Sequence, residues 1–188
     1  MDISVRSLEP GMADIFADYF DNLDFSHEPH WATCYCRFYH TSCSHEEWQA
    51  RPGGQNRQEA LEQIASGSMR GYLAFEGDIC VGWCNANDFS DFSRLVGDFG
   101  SLVQEKKVGC VICFVIHPSY RRSGVARLLL SAAVEGFRSQ GYEAVLALPV
   151  ESADEPEKRY RGTMNMYREQ GFLEIKKRGG LSVMWLDL

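Results

Sequence analysis

Residues 108–116, VGCVICFVI, run for nine positions without one charged or amide side chain. A strand with one wet face alternates polar and apolar residues. An unbroken apolar run of strand length, rich in β-branched residues, instead marks a strand covered on both faces. Such a strand needs helices packed above and below it, so the chain is expected to be layered α/β. Its composition can supply those layers, since 45% of the residues are hydrophobic and 12% aromatic. That content excludes wholesale disorder.

The rest of the chain fits the same scheme. Ile3, Val5 and Leu8 read as a short strand stopped by Glu9-Pro10-Gly11, and Ile15, Phe16, Tyr19, Phe20 and Leu23 recur at helical spacing. Arg51-Pro52-Gly53-Gly54 marks a turn, followed by a helix through Ala60, Leu61, Ile64 and Ala65 that ends near Gly67. GYLAF and ICVGWC flank Glu76-Gly77-Asp78 as a hairpin. Residues 87–107 are polar and irregular, which reads as a functional loop or a partly helical insert. Val125, Leu128, Leu129, Ala132, Ala133, Gly136 and Phe137 then mark an amphipathic helix. EAVLALPV is another strand, followed by an acidic loop, a helix near 160–170, and a closing hairpin through Gly179-Gly180. The expected fold is mixed α/β in one domain over residues 1–188, with about six or seven strands and helices on both faces.

Charge narrows the function. Nineteen Lys and Arg stand against twenty-six Asp and Glu, a net −7, which disfavours a nucleic-acid binder. No run reaches the roughly 18 apolar residues of a membrane span. The N-terminus lacks the basic-then-apolar layout of a signal peptide, and the seven cysteines are an odd count. A cytoplasmic protein with reduced thiols is expected.

The segment CFVIHPSYRRSGVARLLL, residues 113–130, carries the chemistry. A buried strand ends at His117-Pro118, and a tight turn of Arg121, Arg122, Ser123, Gly124, Val125 and Ala126 opens the amphipathic helix. First-turn N–H groups have no acceptor within the helix, so this strand–turn–helix can hold a pyrophosphate. Gly124 and Ala126 keep the backbone approachable, and two arginines add positive charge. The turn is neither a Walker A motif nor a dinucleotide fingerprint.

Arg121-x-x-Gly124-x-Ala126, with Val115-x-x-Pro118 before it and Tyr167-x-x-x-Gly171-Phe172 downstream, resembles the GNAT superfamily of N-acetyltransferases. The likeness covers residues 71–188 well and the first 70 by general layout. It implies a central, mostly antiparallel sheet with two strands splayed apart, residues 1–70 on the acceptor side and 71–188 forming an acetyl-CoA-binding core. The pyrophosphate of acetyl-CoA would lie on the amides of 122–126. Its pantetheine arm would run beside Phe114 and Val115, and Tyr167 would protonate the departing thiolate. The implied reaction is acetyl transfer to a primary amine of a small molecule or peptide, by direct attack in a ternary complex. No nucleic acid or membrane partner is expected, and a homodimer is compatible with the family.

Two features depart from the family pattern. Tyr160 stands seven residues before Tyr167, where many members carry Asn, and VGCVICFVI offers no carboxylate as general base. Glu28, Asp88, Glu151 and Asp154 are candidate bases, each also readable as a surface carboxylate, and His117 reads as a solvent-facing residue at a strand end.

His27, His30, Cys34, Cys36, His40, Cys43 and His45 crowd one window. Zinc ligation, a reactive thiol, and packing or acceptor-pocket lining are its three readings. Cys34-x-Cys36 is too tight for a zinc knuckle, so no metal is expected. Were the segment extended, Cys34 and Cys36 would share one face and Tyr35 the other. Cys80, Cys84, Cys110 and Cys113 read as small core hydrophobes. The acidic stretch Glu151–Glu157 admits either a cationic acceptor or a solvated charge run. The alternative function is a non-catalytic acyl-CoA-binding or metal-linked sensor using residues 27–45.

Overall fold

Among the described residues, seven strands make one sheet: β1 (Ile3–Ser7), β2 (Gly71–Glu76), β3 (Ile79–Asp88), β4 (Val108–Ile116), β5 (Ala144–Ala147), β6 (Leu173–Arg178) and β7 (Leu181–Asp187). Their spatial order is β1-β2-β3-β4-β5-β7-β6. Only β4 and β5 run parallel; every other neighbouring pair is antiparallel. The coordinates are a computed structural model that describes residues 2–26, 28–149, 160–178 and 180–188. His27, Glu151, Asp154, the acidic stretch and Gly179 therefore lie outside the described residues.

Among the described residues, six α-helices cover the sheet: α1 (Ala13–Asp21), α2 (His45–Ala50), α3 (Gly53–Ala65), α4 (Ser93–Val103), α5 (Val125–Ser139) and α6 (Met164–Glu169). On one face, Leu129, Leu130, Ala133 and Phe137 of α5, together with Tyr167 and Phe172, pack on Ala74, Val81, Val111, Phe114 and Val145. On the other, Phe16 and Phe20 of α1 and Ile64 of α3 pack on Leu73, Phe75 and Trp83. Beside them, Leu95 and Phe99 of α4 pack on Val108, Cys110, Ile112 and Leu146. The strand read as doubly covered is so, with Val108 to Ile112 all buried. No helix among the described residues is long and apolar enough to cross a membrane.

Two local readings change. Residues 87–107 are mostly regular: β3 extends to Asp88, and α4 takes up Ser93–Val103. Serines and glycines between Leu95, Phe99 and Leu102 mask the helical period. Gly53 and Gly54 belong to the first turn of α3 rather than to the loop, with Pro52 as its N-cap.

One irregularity organises the sheet's centre. Asn85 faces Cys113 but Ala86 faces Val111, so Ile112 is an extra residue on β4. A bulge sharpens twist and bends its strand. Here it coincides with the end of the β4–β5 ladder, which stops at Val111–Ala147. Beyond it β4 continues from Ile112 to Ile116 with no β5 partner, and the two strands part.

Candidate active site

The bulge also decides which side chains face which layer. Ile112 and Cys113 turn to the same face, so Cys113 and Val115 meet the α1 layer while Phe114 and Ile116 meet α5. Cys113 is thus half-buried in a pocket wall, a correction to its reading as plain core; Cys84 and Cys110 are core residues. The backbone alternates as well. His117 N–H donates to Val81 O at 3.0 Å, which aims residues 115 and 117 at β3 and turns the peptide groups of Phe114 toward the gap.

The turn into α5 lies at the far end of that gap. Arg122 and Gly124 both have left-handed backbones, at φ 62° and 90°. A Cβ built on Gly124 would meet nothing within 4 Å, so its face of the turn is open. No side chain caps α5, and helical bonding starts when Arg127 N–H donates to Gly124 O at 2.9 Å. The Val125 and Ala126 amides belong to the unpaired first turn, a site suited to an anion. Gly82 lets this end approach the sheet, since a Cβ there would stand 3.0 Å from Ile116 Cδ1 and 3.1 Å from Val125 Cγ1. The Arg121 Nε–H donates to Ile116 O at 3.3 Å, and Ser123 Oγ–H to Tyr120 O at 2.5 Å. Both fix the turn's shape.

Tyr167 packs against Phe114 in the core on the α5 face. It is fully buried, stacks edge-on with Phe172 at 5.2 Å and Phe114 at 6.4 Å, and its hydroxyl donates to Arg161 O at 2.9 Å. Burial holds its phenol well above the usual tyrosine range, so it carries its proton at neutral pH. The bidentate Arg127–Glu169 pair, at 2.6 and 3.1 Å, ties α6 to the start of α5.

On the opposite face lies a pocket lined by Cys113 and Val115 of β4, by Cys34 and Cys36, and by aromatic rings including Phe20, Trp31, Phe38, Tyr39, Trp48 and Tyr160. The Cys34–Cys36 segment is a turn rather than extended, with Tyr35 and Cys36 at φ 43° and 51°. Left-handed backbone at residues other than glycine costs about 1–3 kcal/mol each and persists only where surroundings enforce it. The enforcing bonds are visible. Tyr35 Oη donates to Asp21 at 2.6 Å, Asn85 Nδ2 to Cys36 O at 3.2 Å, and Trp83 Nε1 to Cys36 Sγ at 3.2 Å. Both thiols line the pocket while Tyr35 packs in the core beneath. Arg94 Nε and Nη2 donate to Phe38 O at 3.0 Å and Cys43 O at 2.8 Å, and buried Arg37 pairs with Glu59 at 3.0 Å. These bonds hold a segment with little regular structure.

Burial pushes the Cys34 thiol up to about 12, and a bond shared with Cys113 together with burial pushes Cys36 up. Neither is a ready nucleophile. Among the described residues no three His, Cys, Asp or Glu side chains are arranged to hold a metal ion. Of the candidate bases, Asp88 caps Ser90 N–H at 2.9 Å, next to the start of β4. Glu28 lies 3.6 Å from His30 Nδ1, and His30 lines the pocket. His117 is half-buried, and its Nδ1 accepts from Ser119 N–H at 3.3 Å.

Sequence reasoning missed three residues here. Tyr160 hydrogen-bonds Tyr39 at 2.9 Å in the pocket wall. Arg161 donates to Leu148 O at 3.3 Å and to Tyr39 Oη. Asn85, fully buried, also donates to His40 Nε2 at 3.1 Å. Asn85 left a trace as an amide inside an apolar strand, and Tyr160 only as a departure from the family pattern, with no sign that it lines a pocket.

The model of the acetyltransferase (GNAT) family matches residues 19–172. A search of curated proteins by sequence finds no relative. By fold the chain is similar to the PaiA N-acetyltransferase of Thermoplasma acidophilum in complex with coenzyme A, at 14% identity, all of both chains and a TM-score of 0.58. It is similar also to the polyamine N-acetyltransferase of Drosophila melanogaster, which forms N-acetylagmatine, at 12%, all of both chains and 0.59. A third likeness is a GNAT-family acetyltransferase of Streptococcus pneumoniae, at 16%, 100% of this chain and 99% of that one, and 0.57. At these identities the likeness to solved structures is one of fold.

Proposed function

The chain belongs to the acetyltransferase (GNAT) family, and from that premise we propose that it transfers the acetyl group of acetyl-CoA to a primary amine by direct attack in a ternary complex. One observation carries this reading: the parting of β4 from β5 after Val111 opens a gap between an anion-ready helix start and an enclosed pocket. Arg121 to Ala126 hold the pyrophosphate on unpaired amides, and Phe114 offers its peptide groups to the pantetheine arm as a neighbouring strand would.

The acceptor's nitrogen comes from the pocket side, past Cys113. Its lone pair forms the C–N bond at the thioester carbon, the C–S bond breaks, and the sulfur leaves with the electron pair. Tyr167, protonated at neutral pH as tyrosine ordinarily is, gives its phenolic proton to that sulfur and regains one from solvent. The proton lost by the amine goes to water at the pocket mouth, where His30 and Glu28 stand.

The test follows both products: free CoA and acetylated amine, by mass spectrometry, from acetyl-CoA and a panel of primary amines. Amine-dependent formation of both is expected. Saturable acetyl-CoA binding with no acetylated product from any amine would replace the enzyme with a non-catalytic acyl-CoA binder.

A further inference from the structure

We infer that the acceptor is a primary amine borne on an aromatic ring system and carrying no second positive charge. The inference rests on the acetyl-transfer reading above and concerns the pocket beside Cys113.

The pocket's cavity is about 110 Å³ and open at its mouth, on the scale of the roughly 150 Å³ cavity that takes one benzene ring. Its walls are aromatic rings and thiols, and among the described residues no Asp or Glu lines it. Glu28 lies 3.6 Å from His30, which lines the mouth. A polyamine would bring ammonium groups into this space with no carboxylate among the described lining residues to pair them, and an unpaired buried cation is strongly disfavoured.

An aromatic box can itself attract cations, but four of the rings here already face guanidinium groups. The guanidinium of Arg94 lies 4.1 Å from the Phe38 ring centroid, that of Arg51 lies 5.7 Å from Trp48, and that of Arg161 lies 5.3 and 5.4 Å from Tyr39 and Tyr160. Arg51 shares the carboxylate of Glu59 with Arg37. Among the described residues, Arg94 and Arg161 have only carbonyl, hydroxyl and thiol partners. Among the described residues, no carboxylate pairs with either of these two positive charges behind the rings. They repel a second cation on the acceptor. They also favour the neutral form of the reacting amine, which is its nucleophilic form, and so lessen the need for a general base.

The experiment uses protein saturated with CoA for calorimetry and with acetyl-CoA for turnover. The probes are 2-phenylethylamine, tryptamine, n-butylamine, spermidine and agmatine. The two ring-bearing amines are expected to bind and to turn over at least about tenfold better than the other three. Trp31→Ala should erase most of that preference while leaving CoA affinity unchanged. Spermidine or agmatine matching the aromatic amines would overturn the inference and leave acetyl transfer standing, as would n-butylamine matching them. Selective binding of aromatic amines without acetylated product would uphold the pocket's chemistry and sink acetyl transfer. Binding of no ring-bearing amine would overturn the inference outright.

Discussion

The phenol of Tyr167 donates to the backbone carbonyl of Arg161 at 2.9 Å, and the side chain of that same arginine reaches Leu148 O at 3.3 Å, just past the end of β5. Arg161 therefore joins three things: the tyrosine on one sheet face, the margin of the gap, and Tyr39 of the pocket on the other face. A change at Tyr167 is mechanically close to the wall of the pocket on the other face.

Tyr167→Phe keeps the ring packed against Phe114 and Phe172 and removes only the proton donor. Positioned acids contribute about 10²–10⁴-fold, so kcat should fall by that much with CoA affinity kept. The Arg161 carbonyl also loses a partner, for about 1 kcal/mol of stability. Single-turnover kinetics beside calorimetry check both, and a chemical step within about twofold of wild type rules out the acid role.

Gly124→Glu should abolish CoA binding, because a carboxylate would stand where the open face of the turn receives phosphate. Any L residue at φ 90° is strained, so Gly124→Ala is the control. Alanine costs about 1–2 kcal/mol of stability and leaves measurable CoA binding. Equal CoA affinity in folded Gly124→Glu would reject the assignment.

Gly109→Ala tests the sheet–helix contact beneath the gap. A Cβ at 109 would stand 2.6 Å from the buried Phe137 ring. Alanine in a strand would ordinarily gain about 0.5–1 kcal/mol over glycine. The overlap should reverse the sign and destabilise by about 1–3 kcal/mol, read as a lower urea midpoint. Phe137→Leu in the same chain should recover part of that loss.

His40 gives stability a pH dependence. Burial and the nearby Arg37 push its folded pKa from 6.5 down to about 4. Between those values the unfolded chain binds the proton and the folded one does not, so stability falls as pH drops from about 6.5 to 4. The loss is on the order of 3 kcal/mol. Denaturation midpoints at pH 7.5, 5.5 and 4.5 should show it, and His40→Gln should flatten that slope. An unchanged slope in the variant would assign the pH dependence elsewhere.

The elements readable from residues alone were those whose signal is local. VGCVICFVI had to be a strand covered on both sides, the α5 period had to bury one stripe, and Gly77 had to turn a hairpin. The turn Arg121–Ala126 could be placed at a helix start for the same reason, since first-turn amides are unpaired in any helix. The α4 period was hidden because Gly97, Asp98, Gly100 and Ser101 dilute it, and only packing of Leu95 and Phe99 on the sheet restores it.

Local pattern therefore determined the α/β layering, the strand–turn–helix with its anion-ready amides, and the motif pair that places the chain in its family. The pocket was decided by tertiary structure. Ile112 looks like any other apolar residue of its strand, yet as the extra residue opposite β3 it turns Cys113 to the other face and ends the ladder with β5. Cys36 lies in a left-handed turn because Asn85 and Trp83, about fifty positions later, hold it there. Arg161 meets Tyr39 across 122 positions. Register, bulges and buried polar pairings arise between distant segments, and no window of neighbouring residues contains both partners.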